Sequence, residues 1–399
     1  MMLLLALATT TGPAPLAWAY ATGNYSWAVA VSGDGHYAIV GSDDMHAYFF
    51  DAKSTYGKPL WSYGAAGYVR HVAISKNGTY AAASDTNGSI LLFHWPDPGP
   101  SPVWRYKSDS AIETLAMSED GGYLVAGDRH GTICVFKTEL ADPLVWKYVI
   151  PGGISAISLS KSGSLAVTAT QGGLVFFGSV SSLSSHTWVF KEYTSFPQVA
   201  MSDDAEYIVV GASDGYVYLV NSMGQLMDKQ RLGGAVSALS VSSARLVMVA
   251  GSTNGNSSLY SIGKSLERLD SFNAGRSVVS VVISENGQRI AVGNLDGAVS
   301  MFDRSFATLI WTFSTGAIVH SLSLSGDGQV MAAASDTGSV YLFDESLMSA
   351  NRTASGGPSM LVAATIVVVI FMAVGYFVGR RRNHALAKRR LIGLDGSVE

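Results

Sequence analysis

One short motif, repeated eight times, governs what this chain can fold into. A hydrophobic run, a serine and a polar turn recur as VAVSGDGHY, VAISKNGTY, LAMSEDGGY, ISLSKSGSL, VAMSDDAEY, LSVSSARLV, VVISENGQR and LSLSGDGQV. The serines are Ser32, Ser75, Ser118, Ser160, Ser202, Ser242, Ser284 and Ser325, spaced 43, 43, 42, 42, 40, 42 and 41 residues apart. So steady a period, held over eight copies, means one supersecondary unit stacked on itself.

Each copy has the same internal grammar. The residues before the serine alternate, as in Val72-Ala73-Ile74, which is the period of a strand. The turn after it is rich in Gly, Asn and Asp, the residues of tight hairpins. A second apolar run follows (Tyr207–Gly211), then another turn (Ser213-Asp214-Gly215), then a third run ending in Phe-Asp at 50–51, 302–303 and 343–344. A fourth strand lies upstream. Trp61, Trp104, Trp146, Trp188 and Trp311 each stand 14 residues before their serine, with an aromatic two residues on, on the same strand face. Asp228 and Asp270 replace the Trp before Ser242 and Ser284, so weaker outer strands are expected there.

Four strands per repeat define a blade whose two faces are covered only by neighbouring blades. The expected fold is all-β: an eight-bladed β-propeller of four-stranded blades over residues 14–344. No fourth strand follows Asp344, whereas Trp18 lies 14 residues before Ser32, with Tyr20 two on. Leu16–Tyr20 is therefore predicted to complete the last blade by pairing near Tyr341–Asp344, removing the open edges.

Composition agrees with stacked sheets. Of 399 residues 48% are hydrophobic and only 14% charged, against roughly 25% for an average soluble domain. The formal net charge of -4 excludes a basic nucleic-acid module. The single cysteine, Cys134, excludes a disulfide scaffold or a Cys-rich zinc site and reads as a packed core thiol.

The ends are unlike the repeats. Residues 345–358 read as a flexible linker. Ser359–Gly379 carries no charge, and its 21 residues match the roughly 20 of a membrane-spanning helix. Residues 380–399 form a basic tail with Arg380, Arg381, Arg382, Lys388, Arg389 and Arg390. Removing its six cations and two acids from totals of 26 and 30 leaves residues 1–379 with 20 and 28, a net of -8. Positive residues stay on the cytoplasmic side, so the tail is expected inside and the propeller outside. The basic cluster is read as this topology signal rather than as a partner motif. Residues 1–13 form a signal-like apolar segment without a basic start, either an atypical signal or a misassigned start. Cleavage after Ala19 would discard the closing strand, so any cut is expected between about Ala8 and Pro13. Five sequons, at Asn24, Asn77, Asn87, Asn256 and Asn351, would permit glycosylation.

With these residues in hand, the repeats resemble the WD-repeat and PQQ-like β-propellers over 14–344. Phe-Asp stands where WD repeats carry Trp-Asp, and DAKSTYGKPLWSY (51–63) resembles a PQQ-type blade junction. The repeated Gly-His and the Trp-Asp dipeptide themselves are missing. The resemblance implies the fold, with function left to the sites.

Tests for chemistry come out negative. The eight histidines make no i, i+3 or i, i+4 metal pair, and the blades leave no room for quinone-gripping inserts. The Asp-rich turns (Asp43-Asp44, Asp203-Asp204, Asp214, Asp296, Asp336) lack the alternating ligands of a calcium loop. The eightfold serine is structural, bonding within its turn. No cofactor and no enzymatic activity are expected. One position breaks the sameness. Five residues before each serine stand Trp27, Arg70, Glu113, Ser155, Pro197, Ser237, Val279 and His320, at one mouth of the axis, with Tyr25, Tyr68 and His71 beside them. An exposed ring can drift without purpose. A scaffold alone has no need of Trp, Arg, Glu and His there. The expectation is a membrane-anchored, monomeric extracytoplasmic domain that binds protein or peptide partners on a propeller face. Envelope protein assembly is a setting suggested by analogy. The alternative is a small-ligand sensor or enzyme using the channel mouth.

Overall fold

The computed structural model describes residues 13–347, apart from 97–99, 181–185, 193 and 307. Within them thirty-two strands form eight four-stranded antiparallel sheets. Seven blades run from inner to outer strand in chain order, beginning with Ser26–Val31, Tyr37–Ser42, His46–Asp51 and Pro59–Gly64. The eighth takes its outer strand, Leu16–Ala21, from the start of the chain; Trp18 stands opposite Leu342 and Tyr20 opposite Val340. The expected closure is present, and the pairing runs from Leu16 opposite Phe343 to Ala21 opposite Ser339. Blades are numbered here from 1, with inner strand Ser26–Val31, to 8, with inner strand Val319–Leu324.

The repeat serine works as the sequence suggests. In most blades its Oγ accepts the backbone N–H five residues on, as Tyr37 N to Ser32 Oγ at 3.0 Å, Tyr207 N to Ser202 Oγ at 3.0 Å and Val330 N to Ser325 Oγ at 3.0 Å. The same hydroxyl donates to the side chain two residues on: Asp34 at 2.6 Å, Asn77 at 2.9 Å, Asp204 at 2.6 Å, Asp327 at 2.6 Å. A buried hydroxyl is thus satisfied in both roles and pins the hairpin.

Blades are joined by their outer-strand tryptophans. Trp61 of blade 1 packs on Phe93 of blade 2 at 4.6 Å between ring centroids. Trp104 packs on Phe136 of blade 3 at 5.2 Å and Trp311 on Phe343 of blade 8 at 4.8 Å. Trp18 meets Phe50 of blade 1 at 5.0 Å, so the ring seam uses the same contact as these three junctions. Indole N–H groups add bonds across junctions: Trp146 Nε1 donates to the Val180 carbonyl at 2.7 Å and Trp188 Nε1 to that of Ser222 at 2.7 Å.

The two Asp-bearing outer strands depart from expectation. Leu226–Arg231 and Leu266–Asn273 pair along their full length, and the second spans eight residues. Ladder bonds use backbone groups and do not need the Trp. Asp228 supplies a different tie: its carboxylate accepts the N–H of Leu266, in the next blade, at 2.8 Å.

Near the axis the inner strands have an unpaired edge, and serines from the preceding blade satisfy it. Ser323 Oγ accepts the Val31 N–H at 2.9 Å, Ser240 Oγ that of Ile283 at 3.1 Å and Ser280 Oγ that of Leu322 at 3.1 Å. Glycine permits close approach at the second strand. A Cβ on Gly41 would lie 2.7 Å from the Val69 carbonyl of the next blade.

Trp18 is 6% exposed. Trp18→Ala is therefore expected to destabilise the propeller by about 3–5 kcal/mol, read as a lower denaturant midpoint; an unchanged midpoint would mean the first strand is dispensable. A second expectation concerns acid. Hydrogen bonds from the Ser202 hydroxyl and the Glu206 N–H hold Asp204 below its ordinary 3.8. At Asp34 burial pushes upward, but bonds from Ser32 and His36 outweigh it and the net displacement is also downward. A carboxylate favoured by the fold stabilises it above the unfolded value, and that contribution is lost as pH falls through the lower folded value. The melting temperature should fall below about pH 4. The acid-side slope should be shallower in Asp204→Asn.

Candidate interaction face

The non-repeating ring has a structural cause that the sequence does not display. In seven blades the inner strand slips register at this residue. The shifts fall between Ser26 and Ala28, Val69 and His71, Ile112 and Thr114, Ile154 and Ala156, Val236 and Ala238, Val278 and Ser280, and Val319 and Ser321. In blade 5 the residue, Pro197, directly precedes its strand, Gln198–Met201. A bulge leaves one residue outside the ladder and re-aims its side chain.

Three of the eight ring residues converge. The Trp27 indole stacks on the His320 imidazole at 3.9 Å between centroids, and the Arg70 guanidinium lies over the Trp27 ring at 4.4 Å. Arg70 also stands 5.7 Å from the Tyr68 ring. Two aspartates fix this stack. Arg70 Nε and Nη2 donate to the two oxygens of Asp43 at 3.1 Å each, the bidentate geometry that suits arginine. His320 Nε2 meets Asp336 Oδ1 at 2.5 Å. The Trp27 Nε1–H is buried and without a partner.

Of the six residues singled out, Trp27, Arg70, Tyr68 and His320 come together. Glu113 stands apart, held by Arg129 at 2.7 Å. His71 is half-buried, and burial, reinforced by the Arg70 cation, pulls its imidazole down to about 4, so it is neutral at physiological pH. In blades 4 and 6 the ring residue serves the scaffold: Ser155 Oγ donates to the Phe196 carbonyl at 2.5 Å and Ser237 Oγ to that of Val278 at 2.6 Å. The tail cations Arg380, Arg381, Arg382, Lys388, Arg389 and Arg390, and the apolar segment 359–379, lie outside the described residues. No helix among the described residues is long and apolar enough to cross a membrane.

Sequence reasoning missed the partners. Asp43, Arg129 and Asp336 each stand 11 residues after a repeat serine, where other blades carry Thr86, Gln171, Ser213, Thr253 and Leu295. The aspartates read as turn chemistry, although the variation at their position was visible. A second ring was missed altogether. Directly after the serines stand Gly33, Lys76, Glu119, Lys161, Asp203, Ser243, Glu285 and Gly326. Lys76 Nζ bonds both Glu285 oxygens at 2.7 and 2.8 Å, joining blades 2 and 7. Glu119 lies 3.3 Å from Lys76 and 3.5 Å from Lys161, which also reaches Asp203 at 3.7 Å and Glu285 at 3.3 Å. The Lys76 bond holds Glu285 below its usual value despite partial burial. The Glu119, Asp203 and Glu285 carboxylates come within 4.8 Å of one another, and the two lysines bonded to them offset two of the three charges. The network sits by a depression of about 520 Å³.

Elsewhere the residues are inert. Cys134 is buried, and burial lifts its thiol to about 11. The Asp turns cap their own backbone, as Asp44 does for His46 N at 3.0 Å and Asp214 for Tyr216 N at 3.0 Å.

Comparison with known proteins agrees with this architecture. The model of the WD domain, G-beta repeat, matches residues 100–137 and 307–344. No curated protein matches the chain by sequence. Among solved structures, Sqt1 of Saccharomyces cerevisiae has a TM-score of 0.73 at 12% identity, over 84% of this chain and 99% of its own. Chaetomium thermophilum Sqt1, bound to the N-terminus of the ribosomal protein L10, has a TM-score of 0.71 at 17% identity, over 82% and 98%. The C-terminal WD40 domain of Sif2 gives 0.70 at 14%, over 84% and 99%. At these identities the likeness is one of fold. The described residues form an eight-bladed propeller, two stretches of which match the WD repeat.

Proposed function

We propose that this protein is a non-enzymatic interaction platform that takes a protein or peptide segment on the propeller face around Trp27. The carrying observation is the asymmetry of that face. Blades 8, 1 and 2 present a pinned Trp, His and Arg stack, while blades 4 to 7 present Ser, Pro, Ser and Val at the same ring position. Tryptophan, tyrosine and arginine, held rigid before a partner arrives, are the side chains that dominate protein interfaces. Sqt1, of like fold, holds the end of a ribosomal protein, a precedent for a propeller gripping a chain terminus.

The reading extends to the ends. Residues 359–379 anchor the protein in a membrane, the propeller stands outside as a monomer, and the tail with Arg380–Arg382 lies in the cytoplasm. Work on protein assembly at the cell envelope fits this placement.

Two measurements on the full chain test these parts separately. A photo-crosslinker at Tyr68 in intact cells should capture a discrete partner, and Trp27→Ala combined with Arg70→Ala should abolish capture without loss of folded protein. Capture that survives both changes removes this face. Protease added to sealed cells should cut the 345–358 linker; protection there, with cutting in inverted vesicles, would reverse the orientation.

A further inference from the structure

The turn between the second and third strands is the same device in every blade but one. Its third residue, 13 after the repeat serine, is Gly88, Gly131, Gly173, Gly215, Gly255, Gly297 or Gly338, all at positive φ between 69° and 89°. Glycine is required twice over. The conformation is left-handed, and a Cβ would also meet the loop leading to the next inner strand. That Cβ would lie 2.4 Å from the Ser110 carbonyl oxygen at Gly88, 2.1 Å from that of Ile150 at Gly131 and 2.5 Å from that of Ala317 at Gly297. In blade 1 the position is Met45, at φ 68°.

A methionine in this conformation is strained, and its side chain is 43% exposed, so burial does not repay the strain. Among the described residues the other two non-glycine residues at positive φ differ. Ala205 is buried at 1%, and Leu246 sits in the irregular hairpin of blade 6, away from this shared glycine position. The location of Met45 matters. Its turn is bonded on both sides to the loops of the stack: Asp43 N to the Tyr25 carbonyl at 2.9 Å, and Ala65 N to the Met45 carbonyl at 2.7 Å, in the loop that leads to Tyr68. Tyr25 and Tyr68 are 49% and 41% exposed. The one turn that departs from glycine is therefore the one beside Trp27 and Arg70.

We infer that Met45 is an apolar anchor of the interaction face, retained against backbone strain to contact an extended peptide that carries a lysine or arginine next to an apolar side chain. This rests on the reading of the face given above. Methionine adapts to irregular apolar partners, and tyrosines flank it for contact with aliphatic stems and cations. The charge of the site favours a basic residue: Asp43, Asp44 and Asp336 stand against one permanent cation, Arg70, with His46 and His320 beside the latter two aspartates.

The test uses the full-length protein in detergent and a displayed library of short random peptides panned against it. The enriched peptides should be basic and apolar. Met45→Gly should bind them at least tenfold more weakly and yet melt higher than the unsubstituted protein, by about a degree or two. Met45→Ala, which keeps the strained backbone, should lose binding without the gain in melting temperature. If Met45→Gly binds normally while Trp27→Ala does not, the anchor is refuted and the interaction face stands. If Trp27→Ala also binds normally, or no peptide is enriched, the face itself is wrong and the anchor falls with it. Enrichment of acidic peptides would overturn the partner chemistry, and a Met45→Gly protein that melts no higher would overturn the strain.

Discussion

The ring depends on the outer strand of each blade packing against the next, and at four junctions the contact is a tryptophan laid against the third-strand phenylalanine of the following blade. A four-stranded sheet cannot bury both faces by itself, so the blades are stable only as neighbours. The repeated sequence unit does not coincide with the blade. It begins with the outer strand of one blade and continues with three strands of the next, as the matched stretch 100–137 does. Every unit therefore links two blades covalently as well as by packing. The strand Leu16–Ala21 gives the last blade the same link to the first, with Trp18 on Phe50 in place of a chain connection.

A closed ring has two ends, and this chain treats them differently. At one end Lys76, Lys161, Glu119, Asp203 and Glu285 satisfy one another between blades that are far apart in sequence. Most of their charge is offset internally, which suits a rigid closure more than recognition. At the other end the pairs Arg70–Asp43 and His320–Asp336 serve to hold an aromatic stack in place, with tyrosines left exposed around it. Bulges in seven of the inner strands create this second end by turning one side chain in each out of the ladder.

The ring position of Trp27, Arg70, Glu113 and His320 was legible because it varies where its neighbours do not. Its geometry was not. That Trp27 contacts both His320 and Arg70, almost three hundred residues apart in one case, follows from ring closure and cannot be read from local pattern. Asp43 and Asp336 were hidden for a different reason: aspartate is so common in turns that its second role leaves no local trace. Met45 was visible as an exception to a glycine position, but its meaning depends on knowing that the glycine is left-handed.

The sequence alone determined the blade count, the strand order, the serine-pinned hairpins and the source of the closing strand. These rest on short-range hydrogen bonds and on a period that every copy must obey. Only the tertiary structure decided which of the varying residues meet, which end of the axis is locked by charge and which is open, and where the outer strands hold without a tryptophan. Those outcomes depend on how eight sheets converge on one axis, which brings together side chains that the chain itself keeps far apart.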